Sequence, residues 1–218
     1  MKKTALIIIA IITSIQLSAQ WETNIKLGVS SYNGNEINTT AGLYPYAAFG
    51  YHFFNQEHIT LIPSLFIEKS GFTLQDLSFG LPTPKGVFET SDITYRMYSA
   101  GLTINAEIKL LNLNKKTNVY ISPSFGLRKL FYYEGIPSNP KLGGKLTGSD
   151  IAIGLLYDWG MSIGVKLEKF KFSIFYRDVI NQNNPNNSSF VNLKSFGLSV
   201  SYLFGNNGTK KDKEVEQE

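Results

Sequence analysis

Strict alternation of large apolar residues with small or polar ones limits most how this chain can fold. From Ile151 to Leu167 every odd position is large and apolar, whereas the even positions are mostly glycine, serine, alanine or charged residues. A period of two places each set on its own face of a β-strand, whereas a helix would scatter the apolar residues around its axis. The segment therefore predicts a strand with one wholly apolar face.

Seven further segments show the same alternation, more weakly in some than in others. Together with the first segment they predict eight strands, and the fold class is all-β. The seven segments are 24–30, 42–53, 59–70, 101–110, 119–128, 170–177 and 195–204.

The connections between these segments alternate in length. Short turns are predicted at 55–57, 112–116 and 168–169. Long loops, rich in Gly, Pro and Asn, are predicted at 33–40, 72–91, 134–149 and 181–189. Because an even number of antiparallel strands with short turns at one end is typical of outer-membrane proteins, we expect an eight-stranded transmembrane up-and-down β-barrel with periplasmic turns.

The composition of the second face favours a membrane barrel over a soluble secreted one. In a soluble barrel the face opposite the core meets water and carries Lys, Glu, Thr or Gln, but here it is largely Gly, Ser and Ala. Small residues suit a crowded lumen, and the large apolar residues then face lipid. Beyond Gln20 no run of eighteen apolar residues occurs, so a helical membrane protein is excluded. In lipid the sheet must close, because every backbone amide must be paired.

The N-terminus has the layout of a secretory signal peptide. Lys2 and Lys3 precede an apolar run of eleven residues, which is too short to span a membrane, and Ala19 offers a cleavage position. We therefore predict a signal peptide at 1–19, a barrel domain at 20–204 and a charged, disordered periplasmic tail at 205–218. An N-terminal membrane anchor is the alternative for the first segment. Cleavage lowers the formal net charge from +4 to +2, and the absence of cysteine excludes a lipidated N-terminal cysteine.

One segment carries a family resemblance. Leu61 to Phe72 (LIPSLFIEKSGF) resembles the third-strand segment, ending in Lys/Ser-Gly-Phe, of the PorT-like outer-membrane β-barrel family of Bacteroidota. The signal peptide ending in Ser18-Ala19-Gln20 is similar to those of the same group. The resemblance covers residues 20–204 and implies a location in the outer membrane, no catalytic residues, and an interaction role that serves a secretion complex.

The last predicted strand carries a candidate assembly signal. Its residues Gly197, Val200, Tyr202 and Phe204 fit the polar-x-Gly-x-x-apolar-x-apolar pattern by which such barrels resemble one another. The barrel assembly machinery is therefore an expected partner during biogenesis, and outer-membrane lipid is an expected partner afterwards.

Charged residues on the lumen-facing positions form the candidate site. If Glu168 and Lys169 make a two-residue turn, Arg177 pairs with Gly160, and Asp158 and Arg177 become diagonal neighbours roughly 7–8 Å apart. We predict a charge network that closes the lumen, and a narrow passive channel for small solutes is the alternative. The network comprises Lys26, Glu68, Glu107, Arg128, Asp158, Lys166 and Arg177, with Lys171 on the same face.

Catalysis and cofactor binding are not expected. The two histidines, His52 and His58, flank the predicted turn at 55–57, whereas outer-membrane hydrolases place histidine near the outer loops. With Glu57 they offer a metal site without an evident third protein ligand at a fixed spacing, so we expect no metal. Basic residues are dispersed without a stacking platform, which argues against nucleic-acid binding.

The predicted loop 72–91 is unusually apolar for a loop. It contains Phe72, Leu74, Leu77, Phe79, Leu81, Val87 and Phe88. Two interpretations stand: the strands extend above the membrane and end in a folded-over hairpin, or the segment is a docking surface for a protein partner.

Overall fold

The computed structural model describes residues 20–32, 38–56, 58–79, 89–114, 116–139, 146–148, 155–180 and 193–205. The predicted signal peptide, and the predicted tail beyond Gly205, lie outside these residues. The described residues form ten strands: β1 (Trp21–Tyr32), β2 (Thr39–Tyr51), β3 (Phe54–Asn55), β4 (Ile59–Phe79), β5 (Glu89–Asn114), β6 (Thr117–Pro137), β7 (Leu146–Gly148), β8 (Leu156–Leu167), β9 (Phe170–Ile180) and β10 (Leu193–Phe204). No helix in the described ranges is long and apolar enough to cross a membrane.

Eight of these strands close into a ring, which confirms the predicted fold class. Each long strand pairs antiparallel with the long strand before and after it in the chain, and β2 pairs with β4. The first and last strands complete the ring, with Trp21 opposite Phe204 at one end and Tyr32 opposite Leu193 at the other. The short strands β3 and β7 add only to β4 and β6.

The faces of the ring follow the alternation of the sequence. Large apolar side chains point outward, as in Leu27 and Leu198, which are 61% and 65% exposed although they are paired at the middle of their strands. Their neighbours Lys26, Gly28, Gly197 and Ser199 take the opposite, lumen-facing positions. The interior is therefore polar at mid-height and the outer surface is apolar, the reverse of a soluble barrel.

The outward apolar surface ends sharply toward the end of the barrel where the long loops were predicted, which we call the loop side. On β1 every second residue from Trp21 to Val29 points outward, and Thr23 is the one polar residue among them. The next outward residue is Ser31. Ser31 pairs with Lys194, and Lys194 pairs with Asp178, so three strands change to polar residues in one row. Eight residue steps along a strand tilted by about 40° span about 20 Å along the barrel axis. This height approaches the apolar band of a membrane barrel.

Aromatic residues mark the other limit of the apolar surface, at the end of the barrel that carries the short turns, which we call the turn side. Trp21 stacks on Phe49 at 5.0 Å and contacts Tyr51 at 4.9 Å between ring centroids. Tyr202 contacts Phe170 at 5.1 Å in the same region of the ring. A cluster of this kind is typical of the interfacial aromatic girdle of membrane barrels.

The prediction of a loop over 72–91 is wrong at both ends of the segment, because 72–79 and 89–91 are β-strand. Strand β4 continues to Phe79 and β5 begins at Glu89, so the interpretation as a strand extension is confirmed for 72–79, while 80–88 lie outside the described residues. Phe72 and Leu74 are 1% and 4% exposed, so they face the interior and offer no docking surface. The predicted loop 134–149 is shortened in the same way, because β6 runs to Pro137 and β7 pairs back onto it.

The turn at Glu168 and Lys169 has the predicted two-residue length, since Leu167 pairs with Phe170. Glu168 adopts a left-handed conformation with φ 49° and forms an ion pair with Lys116 of the neighbouring turn. The hydrogen bond from Lys116 lowers the pKa of the Glu168 carboxyl.

Candidate functional site in the barrel lumen

Four predicted residues meet in one ion-pair layer in the loop-side half of the lumen. Arg177 of β9 holds Asp158 of β8 with both Nε and Nη2 at 2.8 Å. The Nη1 atom of Arg177 donates to Glu68 of β4 at 2.9 Å. Arg128 of β6 donates from Nε to Asp158 at 3.1 Å and from Nη1 to Glu68. All four side chains are at most 4% exposed.

Every carboxylate oxygen of this loop-side layer accepts a hydrogen bond. Beyond the arginines, Glu68 accepts from Tyr44 at 2.7 Å and from Ser99 at 2.8 Å. Two cations and two anions leave the layer without net charge. Because burying a charge is costly unless it is paired and hydrogen-bonded, this pairing of the two carboxylates with two arginines is what permits four charged side chains to fill a narrow lumen.

Aromatic rings support the layer from the turn side. The Arg177 guanidinium lies 4.5 Å from the centroid of Phe66 and 5.3 Å from that of Tyr46. Arg128 lies 5.5 Å from Phe66. These rings stabilise the two guanidinium groups by cation–π interaction.

A second ion-pair layer lies at the turn-side end. The ammonium of Lys171 binds Glu22 at 2.7 Å and also contacts Glu107. The Nε2 atom of His52 lies 2.9 Å from the same Glu22 oxygen. The four side chains are 1–9% exposed.

A polar cavity of about 40 Å³ separates the two layers. It is lined by Asn24, Lys26, Ser64 and Asn105 among others, and the Lys26 ammonium lies 4.6 Å from the ring of Tyr46. A cavity of this size and polarity has room for a few water molecules. It reaches the turn-side layer, whose residues Glu22, Glu107 and Lys171 belong to its lining.

An apolar cap closes the loop-side end of the lumen above the first layer. Tyr32, Tyr95 and Tyr133 pack against it. Phe72 stacks between Tyr32 and Tyr95, with centroid distances of 5.3 and 5.4 Å. The buried members of the cap are Phe72, Leu74, Met97, Leu130, Leu156, Val179 and Leu193.

The structure divides the seven residues of the predicted network. Glu68, Arg128, Asp158 and Arg177 form the loop-side layer, and Glu107 belongs to the turn-side layer. Lys26 lies between the layers and has no ion-pair partner in the described residues. Lys166 lines a polar pocket of about 300 Å³ at the turn-side mouth, together with His58 and Lys109.

Glu22, His52 and Tyr44 are site residues that the sequence interpretation left out of the network. Glu22 lies on the same face of β1 as Asn24 and Lys26, so extending the predicted strand by two residues would have placed Glu22 in the lumen. Tyr44 carries no charge and gives no sequence signal of its own. No group of three His, Asp or Glu that could hold a metal occurs in the described ranges.

The four residues of the candidate assembly signal divide between the two faces of β10. Val200 and Tyr202 point outward, 44% and 38% exposed. Phe204 is half-buried at the turn-side end, where its ring lies 5.8 Å from that of Phe49. Gly197 faces the lumen opposite Gly28.

The closed ring, the apolar outer band and the filled interior define a small transmembrane β-barrel. No family model matches the chain, and no curated protein is significantly similar in sequence, so the PorT-like resemblance rests on its motifs alone. Solved barrels of similar architecture include the attachment invasion locus protein Ail of Yersinia pestis, which is 14% identical, with 86% of this chain and 99% of that one covered and a TM-score of 0.40.

Neisserial surface protein A is similar at 12% identity, with 86% and 97% covered and a TM-score of 0.46. The N-terminal barrel domain of Pseudomonas aeruginosa OprF is similar at 11% identity, with 84% and 97% covered and a TM-score of 0.39. Similarities this distant carry no information about function.

Proposed function

We propose that this protein is an integral outer-membrane β-barrel with periplasmic termini and a structural or interaction role, and that it neither transports solutes nor catalyses a reaction. The observation that carries the proposal is the filling of the lumen. Two ion-pair layers and an apolar cap close it at three heights, and each layer joins strands that are not neighbours in the ring.

The energetics of the layers favour a permanent seal over a gate. To open the loop-side layer, Arg177 would have to leave two carboxylates and Tyr44 at once. Breaking one partner of a buried ion pair costs about 3–5 kcal/mol, so open states are rare. An eight-stranded ring also leaves an interior just wide enough for side chains.

A narrow passive channel is the competing function, and the polar cavity between the layers is the observation that favours it. Planar-bilayer recording of the purified, folded protein distinguishes the two functions. We expect no stable discrete conductance, with an open porin in the same bilayers as the positive control. Discrete conductance steps that scale with the amount of barrel inserted would refute the seal.

An interaction role places the contact surface above the membrane, on the loop-side extension of β4, β5 and β6. Its outward face is polar, with Thr73 hydrogen-bonded to Thr94 at 3.0 Å and Arg96 paired with Glu134 at 3.0 Å. Service in a secretion complex is the more specific form of this role, and the sequence resemblance alone supports it.

Cross-linking in the native membrane followed by purification tests the interaction role, which requires a stoichiometric partner. A chain lacking residues 76–85 is the informative variant, because the deletion removes the end of β4 and part of the segment that connects it to β5. We expect the variant to lose the partner. Recovery of the same partner at the same ratio would exclude residues 76–85 as the docking site.

A further inference from the structure

An apolar groove of about 630 Å³ interrupts the outer surface of the barrel on β2, β4 and β5. In this groove Ala47 and Ala100 lie on either side of Ile67 in one row. The row below consists of Phe49, Leu65 and Leu102, which form the turn-side wall. The groove lies at the top of the apolar band, within the depth that lipid chains occupy.

Two lysines stand at the loop-side end of this groove. Lys129 of β6 is paired with Ala100, so it continues the groove's own row on the next strand. Lys69 of β4 lies two residues above Ile67 and is paired with Tyr98. The two lysines therefore flank β5 from opposite sides, with Ala100 between them. Their Cα atoms are about 10–12 Å apart by the spacing of strands, within joint reach of two long side chains.

Neither lysine has a carboxylate within 4 Å of its ammonium among the described residues. The Lys69 ammonium lies 5.7 Å from the centroid of the Tyr98 ring. That contact tilts Lys69 over β5, toward Lys129. Basic residues at this height meet the phosphates of lipid headgroups, and pockets of such residues select anionic lipids.

We propose that Lys69, Lys129 and the groove of Ala47, Ile67 and Ala100 form a binding site for one phosphorylated lipid of the surrounding leaflet. An acyl chain occupies the groove, and the lipid phosphate lies above Ala100 between the two ammonium groups. The site rests on the proposed membrane location, because a barrel outside a membrane would meet no such lipid.

Native mass spectrometry of the folded barrel in detergent tests whether the two lysines bind the lipid phosphate. The two probes are diphosphorylated lipid A and the same lipid A after enzymatic removal of its phosphates. We expect one phosphorylated molecule to bind preferentially, and the variant K69Q/K129Q to weaken this binding about 10-fold or more without affecting the dephosphorylated probe. K194Q is the matched control, because Lys194 ends the apolar run of β10, away from the groove on β2, β4 and β5.

Larger side chains that fill the groove test its contribution to lipid binding. The variant A47L/A100L is expected to weaken binding of both probes, whereas A106L, an outward alanine nearer the turns, is expected to leave binding unchanged. Equal affinity of the wild-type barrel for the two probes, or equal losses in K194Q and K69Q/K129Q, would overturn the proposal. Folding of every variant is checked by the mobility shift between unheated and boiled samples in SDS gels. Absence of that shift in the wild type would instead contradict the membrane barrel itself.

Discussion

Individual buried charged side chains close this lumen, and their surroundings differ sharply. Arg177 donates to two carboxylates and to Tyr44, whereas the Lys26 ammonium lies over the rings of Tyr46 and Phe175 and has no ion-pair partner among the described residues. Removal of a paired cation leaves its anions buried and unpaired, which is the costly outcome. Removal of an unpaired cation leaves no such group behind.

The first prediction compares these two cations. Arg177→Met is expected to lower the free energy of unfolding by about 3–5 kcal/mol, because Glu68 and Asp158 then share one arginine. Lys26→Met is the matched control and should change stability by less than about 1 kcal/mol. Urea titration of both variants in lipid vesicles gives the values. Similar losses in the two variants would mean that lumen packing, and not charge pairing, limits stability.

At the scale of elements, the contact between β1 and β10 closes the ring and depends on glycine. Gly28 and Gly197 are paired directly across it. A Cβ on Gly28 would lie 2.1 Å from the carbonyl oxygen of Phe196, which is backbone and cannot move aside alone. The first and last strands therefore approach more closely than any larger residue would allow.

Substitution at this seam gives the second prediction. Gly28→Ala is expected to cost about 1–3 kcal/mol and to slow folding into vesicles, because the seam must widen. Gly135→Ala is the comparison, since its nearest neighbour is the Tyr95 ring at 3.1 Å, a side chain that can shift. The fraction of heat-modifiable barrel over time measures both effects. Equal folding rates of the two variants would argue against a special role of the seam.

For the whole molecule, the decisive feature is a reversal of polarity at one height. Below the row of Ser31, Lys194 and Asp178 the outward residues are mostly apolar, and the inward ones are polar, small or aromatic for the most part. Above the corresponding height on β4 and β5, Phe72, Leu74, Ile93 and Met97 point inward as the buried apolar residues. The lower part is thus built for lipid and the upper part for water. We place the membrane surface at this reversal.

The third prediction tests this placement by depth. A lysine at Ile25, near the middle of the apolar band, is expected to cost about 2–4 kcal/mol, because its charge lies in hydrocarbon. A lysine at Val29, the last outward apolar residue of β1 before Ser31, should cost about 0–1 kcal/mol. Unfolding titrations in vesicles of one lipid composition provide the comparison. Equal costs at the two depths would place the membrane elsewhere.

Much of the fold was predictable because β-strand parity is a local property. The alternation around Trp159 and Met161 assigns faces without knowledge of any partner strand, and the pairing of Gly160 with Arg177 follows from a two-residue turn. The extension of β4 and β5 was one of two interpretations of the apolar segment 72–91, and the sequence did not decide between them because the apolar residues change faces above the membrane. Phe72 and Leu74 keep the parity of Glu68, but they no longer belong to the lipid-facing set.

The sequence by itself determined the eight main strands, their inward and outward faces and most of the charges that enter the lumen. The tertiary structure alone decided which of these charges meet. Glu22 and Lys171 are 149 residues apart, and Glu68 and Arg177 are 109 apart, on strands that are not neighbours in the sheet. Such contacts cross the lumen, so they depend on the closure and stagger of the whole ring, which no local pattern encodes.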